Sequence, residues 1–239
     1  MKRIFVLVFA ALIFVVPISY AGLLEKARAV KEKVKPSAGE LDINTTISGL
    51  KEALSVGTEK AVKTVSLADG YFKNPAIRIP LPEKVQKAAR LMKKVGLHKE
   101  VDAFELSMNR AAEKAAAQAA SFFISAIKEM TFQDAKKILH NGGTAATDYL
   151  KAKTSEKIYN SFRPVVASAM NEAGVTRSYK QLTDKARSRR LLKDDSQDLD
   201  HYVTKKALDG LFYMVGQEEK NIRTNPAARV TDLLKKVFK

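Results

Sequence analysis

Apolar residues recur along most of this chain at spacings of three and four, which predicts α-helix in nearly every segment. Leu23, Ala27, Val30 and Val34 form one such stripe, with Lys26, Lys31, Lys33 and Lys35 on its flanks and far face and Pro36 as its stop, giving a cationic amphipathic helix. Ile43, Ile47, Leu50, Leu54, Ala61 and Val65 continue the period from a start at Asn44 or Thr45. Asp69-Gly70 then turns the chain. Pro75, Pro80 and Pro82 forbid a regular helix over 74–82, and the alternation of Ile77, Ile79 and Leu81 predicts an extended strap that covers a core edge. Pro82 opens the next helix, which Gly96 closes. One long helix is expected over 99–128. Thr131 reads as the N-cap of a short helix ended by Asn141-Gly142-Gly143, and Thr144 begins another. Residues 155–173 are expected to be helical, with Pro164 as a kink and Gly174 as the stop. A basic helix to Arg190, an acidic linker with Asp194, Asp195, Asp198 and Asp200, a helix over 199–223 and a last helix opened by Asn225-Pro226 complete the chain. No Val/Ile/Thr-rich alternation is long enough for a sheet. The expected fold is therefore all-α, a single-domain multi-helix bundle over 47–239, preceded by an amphipathic helix and linker over 22–46.

The first 21 residues read as an address. Lys2 and Arg3 form a basic start, 4–16 is an uninterrupted apolar run, and Ser19-Tyr20-Ala21 places small residues where a signal peptidase reads. That run is shorter than the ~20 residues a membrane-spanning helix needs. A cleaved signal peptide is expected, with the mature protein periplasmic or secreted. Its loss takes the net charge from +16 to +14, so anionic membrane or cell-wall components are the first partners to expect. The chain of 239 residues is 46% hydrophobic and 28% charged, the balance of a folded protein. It has no cysteine, which excludes disulfides, thiolate chemistry and a lipidated cysteine anchor, and its three histidines leave little for metal binding. No cofactor is expected.

Position on the helices singles out a set of acids. At 100° per residue, Glu105, Asn109 and Glu113 share a line that runs between apolar positions, and Glu218 falls near the centre of the arc made by Val203, Ala207, Leu208, Leu211, Met214, Val215 and Ile222. Buried carboxylates must be paired. The expected network joins Glu105, Asn109, Glu113 and Glu218 to arginines such as Arg78, Arg223 and Arg229. A di-metal centre would use a Glu-x-x-His motif, which is absent, so no metal ligands are assigned. A pair of carboxylates could also serve a hydrolase. Ser48-x-x-Lys51 and Ser125-x-x-Lys128 lack the companion motifs of the penicillin-recognising enzymes, and no catalytic residue is assigned. His201 with Asp198 and Asp200 is the nearest approach to an acid/base cluster. Asn141-Gly142-Gly143-Thr144 could offer backbone amides to an anion. Lys185, Arg187, Arg189 and Arg190 precede the acidic linker, where helix dipoles account for both runs, and they join Lys26, Lys31, Lys33 and Lys35 as candidate contacts with an anionic surface. Asn74-Pro75-Ala76 recurs as Asn225-Pro226-Ala227, which reads as a shared helix-start chemistry.

The stretches 48–54, 74–82, 105–113 and 202–238 resemble the exported bacterial family catalogued as domain of unknown function 4197. Met108-Asn109-Arg110, Asn225-Pro226-Ala227-Ala228-Arg229 and Asp232-Leu233-Leu234-Lys235-Lys236-Val237-Phe238 are the most distinctive. The resemblance covers 47–238 and implies one exported domain; it implies no activity, cofactor or site residue. The function expected is a non-catalytic binding or scaffolding module that meets an anionic envelope component, or holds an apolar ligand between Ala-rich helices. An envelope hydrolase built on Glu105, Glu113 and Glu218, or an adaptor for a protein partner, are the alternatives, with nucleic acid behind them.

Overall fold

Amphipathic stripes separated by glycine, proline and capping residues should condense as helices around one apolar interior, and the computed structural model shows this. It describes residues 43–94, 96, 98–172, 174 and 198–237. The expected signal segment, the helix bearing Lys26, Lys31, Lys33 and Lys35, and the run Lys185, Arg187, Arg189 and Arg190 lie outside the described residues. Those that are described form α1 (Ile43–Ser66), α2 (Glu83–Lys94), α3 (His98–Ala116), α4 (Ala119–Glu129), α5 (Phe132–Asn141), α6 (Ala145–Glu172), α7 (Leu199–Thr224), a 3₁₀ turn (Pro226–Ala228) and α8 (Asp232–Val237), with no strand among them. The fold is all-α. None of these helices is long and apolar enough to cross a membrane.

The helix α6 packs on α3, α4 and α7, and α7 also packs on α1 and α3. Leu50, Met108, Phe123, Leu150, Ile158, Phe162, Met170 and Leu211 are at most 1% exposed in the shared core. Burial of each such side chain contributes about 1.5–3 kcal/mol. Phe123 of α4 meets Phe212 of α7 edge-to-face, with ring centres 5.8 Å apart. A second, small cluster of Ala53, Ile222 and Leu234 seats α8 on α1.

Three boundaries differ from the sequence reading. The helix expected over 99–128 is divided, because 117–118 form a turn and α4 restarts at Ala119. No glycine or proline marks this break; it lets α4 pack against both α1 and α6. In contrast, the two helices expected after Thr144 are one, and Pro164 lies within it. The last helix does not open at Pro226. The Asn225 side chain does accept the Ala227 amide, but Arg229 turns back onto the carbonyls of Ile222 and Arg223, and α8 starts only at Asp232. Asn74 accepts the Ala76 amide in the same way, so the recurring Asn-Pro-Ala is a shared turn chemistry that starts an α-helix in neither place. Thr131 caps α5 as expected, with Asp134 completing a reciprocal capping box.

The strap follows its alternating pattern. Ile77, Ile79 and Leu81 are buried, whereas Arg78 and Pro80 are exposed. Gly210 makes room for it: a Cβ there would lie 2.8 Å from the Tyr71 ring and 3.1 Å from Ile77.

Candidate functional site

The line Glu105, Asn109, Glu113 on α3 meets the strap rung by rung. Glu105 accepts from Arg78 Nε at 2.9 Å, and the Arg78 guanidinium also lies over the Phe72 ring. Asn109 is fully buried; its Oδ1 accepts the Ile79 amide at 2.8 Å while its Nδ2 donates to the Ile79 carbonyl at 2.9 Å. Glu113, 3% exposed, accepts the amides of Tyr71 and Phe72 on one oxygen and Arg110 on the other. Arg110 is shared with Asp69, which Lys73 also pairs. The hydrogen bonds from Lys73 and Arg110 hold the Asp69 carboxyl below its ordinary range. Both oxygens of Glu113 are thus spent on the turn and its neighbouring cation, and what this carboxylate does is fix the turn that launches the strap.

Tyr71 closes the same corner. It is fully buried and donates its hydroxyl to the Ala207 carbonyl at 2.6 Å. Burial, reinforced by the charge of Glu113, pushes its phenol far above the ordinary tyrosine value. The folded state therefore keeps a proton that the unfolded chain loses above about pH 10, and stability falls as pH rises through that range. Each pH unit should cost about 1.4 kcal/mol from this group alone. Alkaline urea titrations of wild type and Tyr71→Phe check it: the variant should lose stability less steeply above pH 10, and parallel slopes would contradict the assignment.

The remaining members of the expected network stand elsewhere. Glu218 is not buried in it; its side chain sits at the α1–α7 seam and pairs with the exposed Lys60. The buried acid of α7 is its neighbour Glu219, which the sequence reading missed. Glu219 accepts the amides of Ala146 and Thr147 and the Thr147 hydroxyl at 2.7–3.2 Å, and pairs with Arg223 at 2.8 Å. The reason lies in α6. Its Thr144 hydroxyl donates to the Asp148 side chain, so the first turn takes its acceptor from α7. The signal in the sequence was a glycine-led helix start with a Glu-Glu pair on a long helix. Arg229 reaches carbonyls at the end of α7 and meets no carboxylate there. The expected single network is thus two separate clamps, one on the strap and one on the start of α6. The amides that meet an anion at this helix start are those of Ala146 and Thr147, while the Gly142 amide closes α5 on the Ile138 carbonyl, and the anion is Glu219.

His201 accepts or donates at Nδ1 to the Tyr159 hydroxyl at 2.6 Å, and Asp198 caps α7 while pairing with Arg163. Burial, with the charge of Asp198 next, raises the Asp200 carboxyl above its ordinary value. This group joins α6 to the start of α7. No set of three or more His, Cys, Asp or Glu suited to a metal occurs among the described residues.

One concavity of ligand size adjoins the second clamp. An open groove of about 660 Å³ runs between the start of α6 and the C-terminal half of α7. Thr147, Asp148 and Lys151 form the α6 side, Phe212, Tyr213, Gly216, Lys220 and Arg223 the α7 side. Gly216 opens it, since a Cβ there would lie 3.8 Å from the Thr147 hydroxyl, at ordinary contact distance. By contrast, the Ala-rich stretch of α3 and α4 is closed: Ala111, Ala112, Ala115, Ala116 and Ala119 are at most 1% exposed.

Comparison with known proteins gives one match. The model of a family described as "Protein of unknown function (DUF4197)" matches residues 40–239. No curated protein and no solved structure matches the chain.

Proposed function

Because this chain belongs to the DUF4197 family, whose description carries no activity to it, we propose a function from its geometry: an exported, non-catalytic binding module of the cell envelope that receives its ligand in the α6–α7 groove. The groove carries this reading. Its volume of about 660 Å³ falls within the range of small-molecule sites, and Phe212 and Tyr213 give it apolar surface among polar and charged side chains that could orient a ligand. The buried carboxylates support the non-catalytic part, because Glu113 and Glu219 hold backbone amides and arginines. Export rests on the pattern of 1–21, and the net charge suits an anionic compartment surface.

A native mass spectrum of the mature protein, purified gently from the envelope beside an organic extract, tests the binding role. The expected result is a stoichiometric extra mass that is lost in Gly216→Leu and kept in Gly216→Ala. Both substitutions remove a helix glycine, which favours the helix by up to about 1 kcal/mol, and because residue 216 faces Thr147 of the Glu219 clamp, the cooperative melting of each variant is recorded to separate a loss of binding from a loss of fold. A bare wild-type mass, or equal retention in the leucine variant, would contradict the groove.

A further inference from the structure

The charges around the groove narrow its ligand. Of its cations, Arg223 is held by Glu219; of its carboxylates, Asp209 is paired with Lys205. Lys151 on the α6 side and Lys220 on the α7 side have no carboxylate in ion-pair reach among the described residues, and both are exposed. Asp148 is the carboxylate left against them, and it already accepts from Thr144. Among the described residues, the groove therefore has two ammonium groups without an ion-pair partner, Lys151 on one helix and Lys220 on the other, with Asp148 beside them. The aromatic ring open to the groove is that of Tyr213, 46% exposed, beside the gap left by Gly216, while Phe212, 4% exposed, closes the groove from the core side.

Two lysines on the walls beside an exposed tyrosine ring suit a molecule with a negative group at its edge and a flat apolar body. A peptide helix or a second copy of this chain would need an unbroken apolar face, and the lysines and Asp148 interrupt it. The first-turn amides of α6 at Ala146 and Thr147 are taken by Glu219, so the negative group must be met by the lysines. We propose that the α6–α7 groove is a site for a small organic anion, a carboxylate, sulfonate or phosphate ester on an aromatic or polycyclic body, held by Lys151 and Lys220 against the exposed ring of Tyr213. This rests on the groove being the binding site and adds the class of ligand.

Two fluorescent probes separate the two claims. Anilinonaphthalene sulfonate carries the ring system with a negative group; N-phenylnaphthylamine carries the rings without it. Both are titrated into the full mature protein, into Gly216→Leu, and into the double variant Lys151→Gln, Lys220→Gln, each with its cooperative melting recorded. The sulfonate should bind wild type about tenfold or more tightly than the uncharged probe, and the double variant should erase that preference, as expected for loss of charge-assisted contacts. Gly216→Leu should remove binding of both. Equal binding of the two probes, unaffected by the lysine changes but lost in Gly216→Leu, would overturn the anion assignment and leave the groove standing. Binding of both that survives Gly216→Leu would overturn the groove as well.

Discussion

Glu219→Ala should lower stability by about 3–5 kcal/mol, the cost of breaking a buried ion pair from one side. The substitution strands Arg223, whose side chain is 21% exposed, and leaves the amides of Ala146 and Thr147 with no acceptor at the start of α6. Glu218→Ala is the internal control. It removes a carboxylate of the same helix whose partner, Lys60, is 56% exposed, so it should cost only about 0–1 kcal/mol. Urea unfolding of the two variants measures both numbers. A large loss at Glu218 with none at Glu219 would mean that α7 is rotated by one position from the arrangement described. Against a typical domain stability of about 5–15 kcal/mol, the Glu219 loss would remove a large share of what holds the fold together.

A loss of similar size is expected at Glu113, again about 3–5 kcal/mol. Glu113→Ala removes the acceptor of two turn amides and half of the compensation of Arg110, while Asp69 keeps the other half. The loss should be felt first in the strap, whose only buried contacts beyond Tyr71 come from Ile77, Ile79 and Leu81 among 71–81. Glu113→Gln discriminates structure from chemistry. It keeps the shape and one acceptor but presents an amide to Arg110, so the clamp reading predicts a clear fall in melting temperature. If Glu113→Gln melted with wild type while abolishing a hydrolytic activity of the purified protein, the clamp reading would fail and the carboxylate would be doing chemistry.

The two clamps show what was legible in the chain and what was not. The spacing of Glu105, Asn109 and Glu113 could be read because side chains four apart on a helix share a line whatever they meet. Their partners on the turn and strap could not, because there Asn109 and Glu113 bind backbone amides, and every residue but proline has one. Arg78 as the partner of Glu105 was readable, since charge complementarity is written in residue types. Glu218 and Glu219 are adjacent on α7, where a wheel separates them by 100°. One falls toward α1 and the other toward α6, and only the packing of α6 on α7 decides which is buried. The Pro-rich strap with its alternating Ile77, Ile79 and Leu81 was legible, as was the capping box of Thr131, since both depend on neighbours in sequence. The turn at 117–118 was not, because alanine and glutamine favour helix and the break is set by where α4 can pack. The groove was invisible for the same reason. It exists where Gly216 faces Thr147 across two helices that are distant in sequence.

The central claim is that ligand binding lives in the α6–α7 groove while the buried acids hold the fold. Amide chemical shifts of the isotope-labelled mature protein, followed as an envelope extract is added, test it most directly. Changes should concentrate at 143–151 and 209–224, and the amides of 71–79, next to Glu113 and Asn109, should stay in place. Changes centred on the strap or on the far side of the bundle, with 143–151 and 209–224 still, would contradict it.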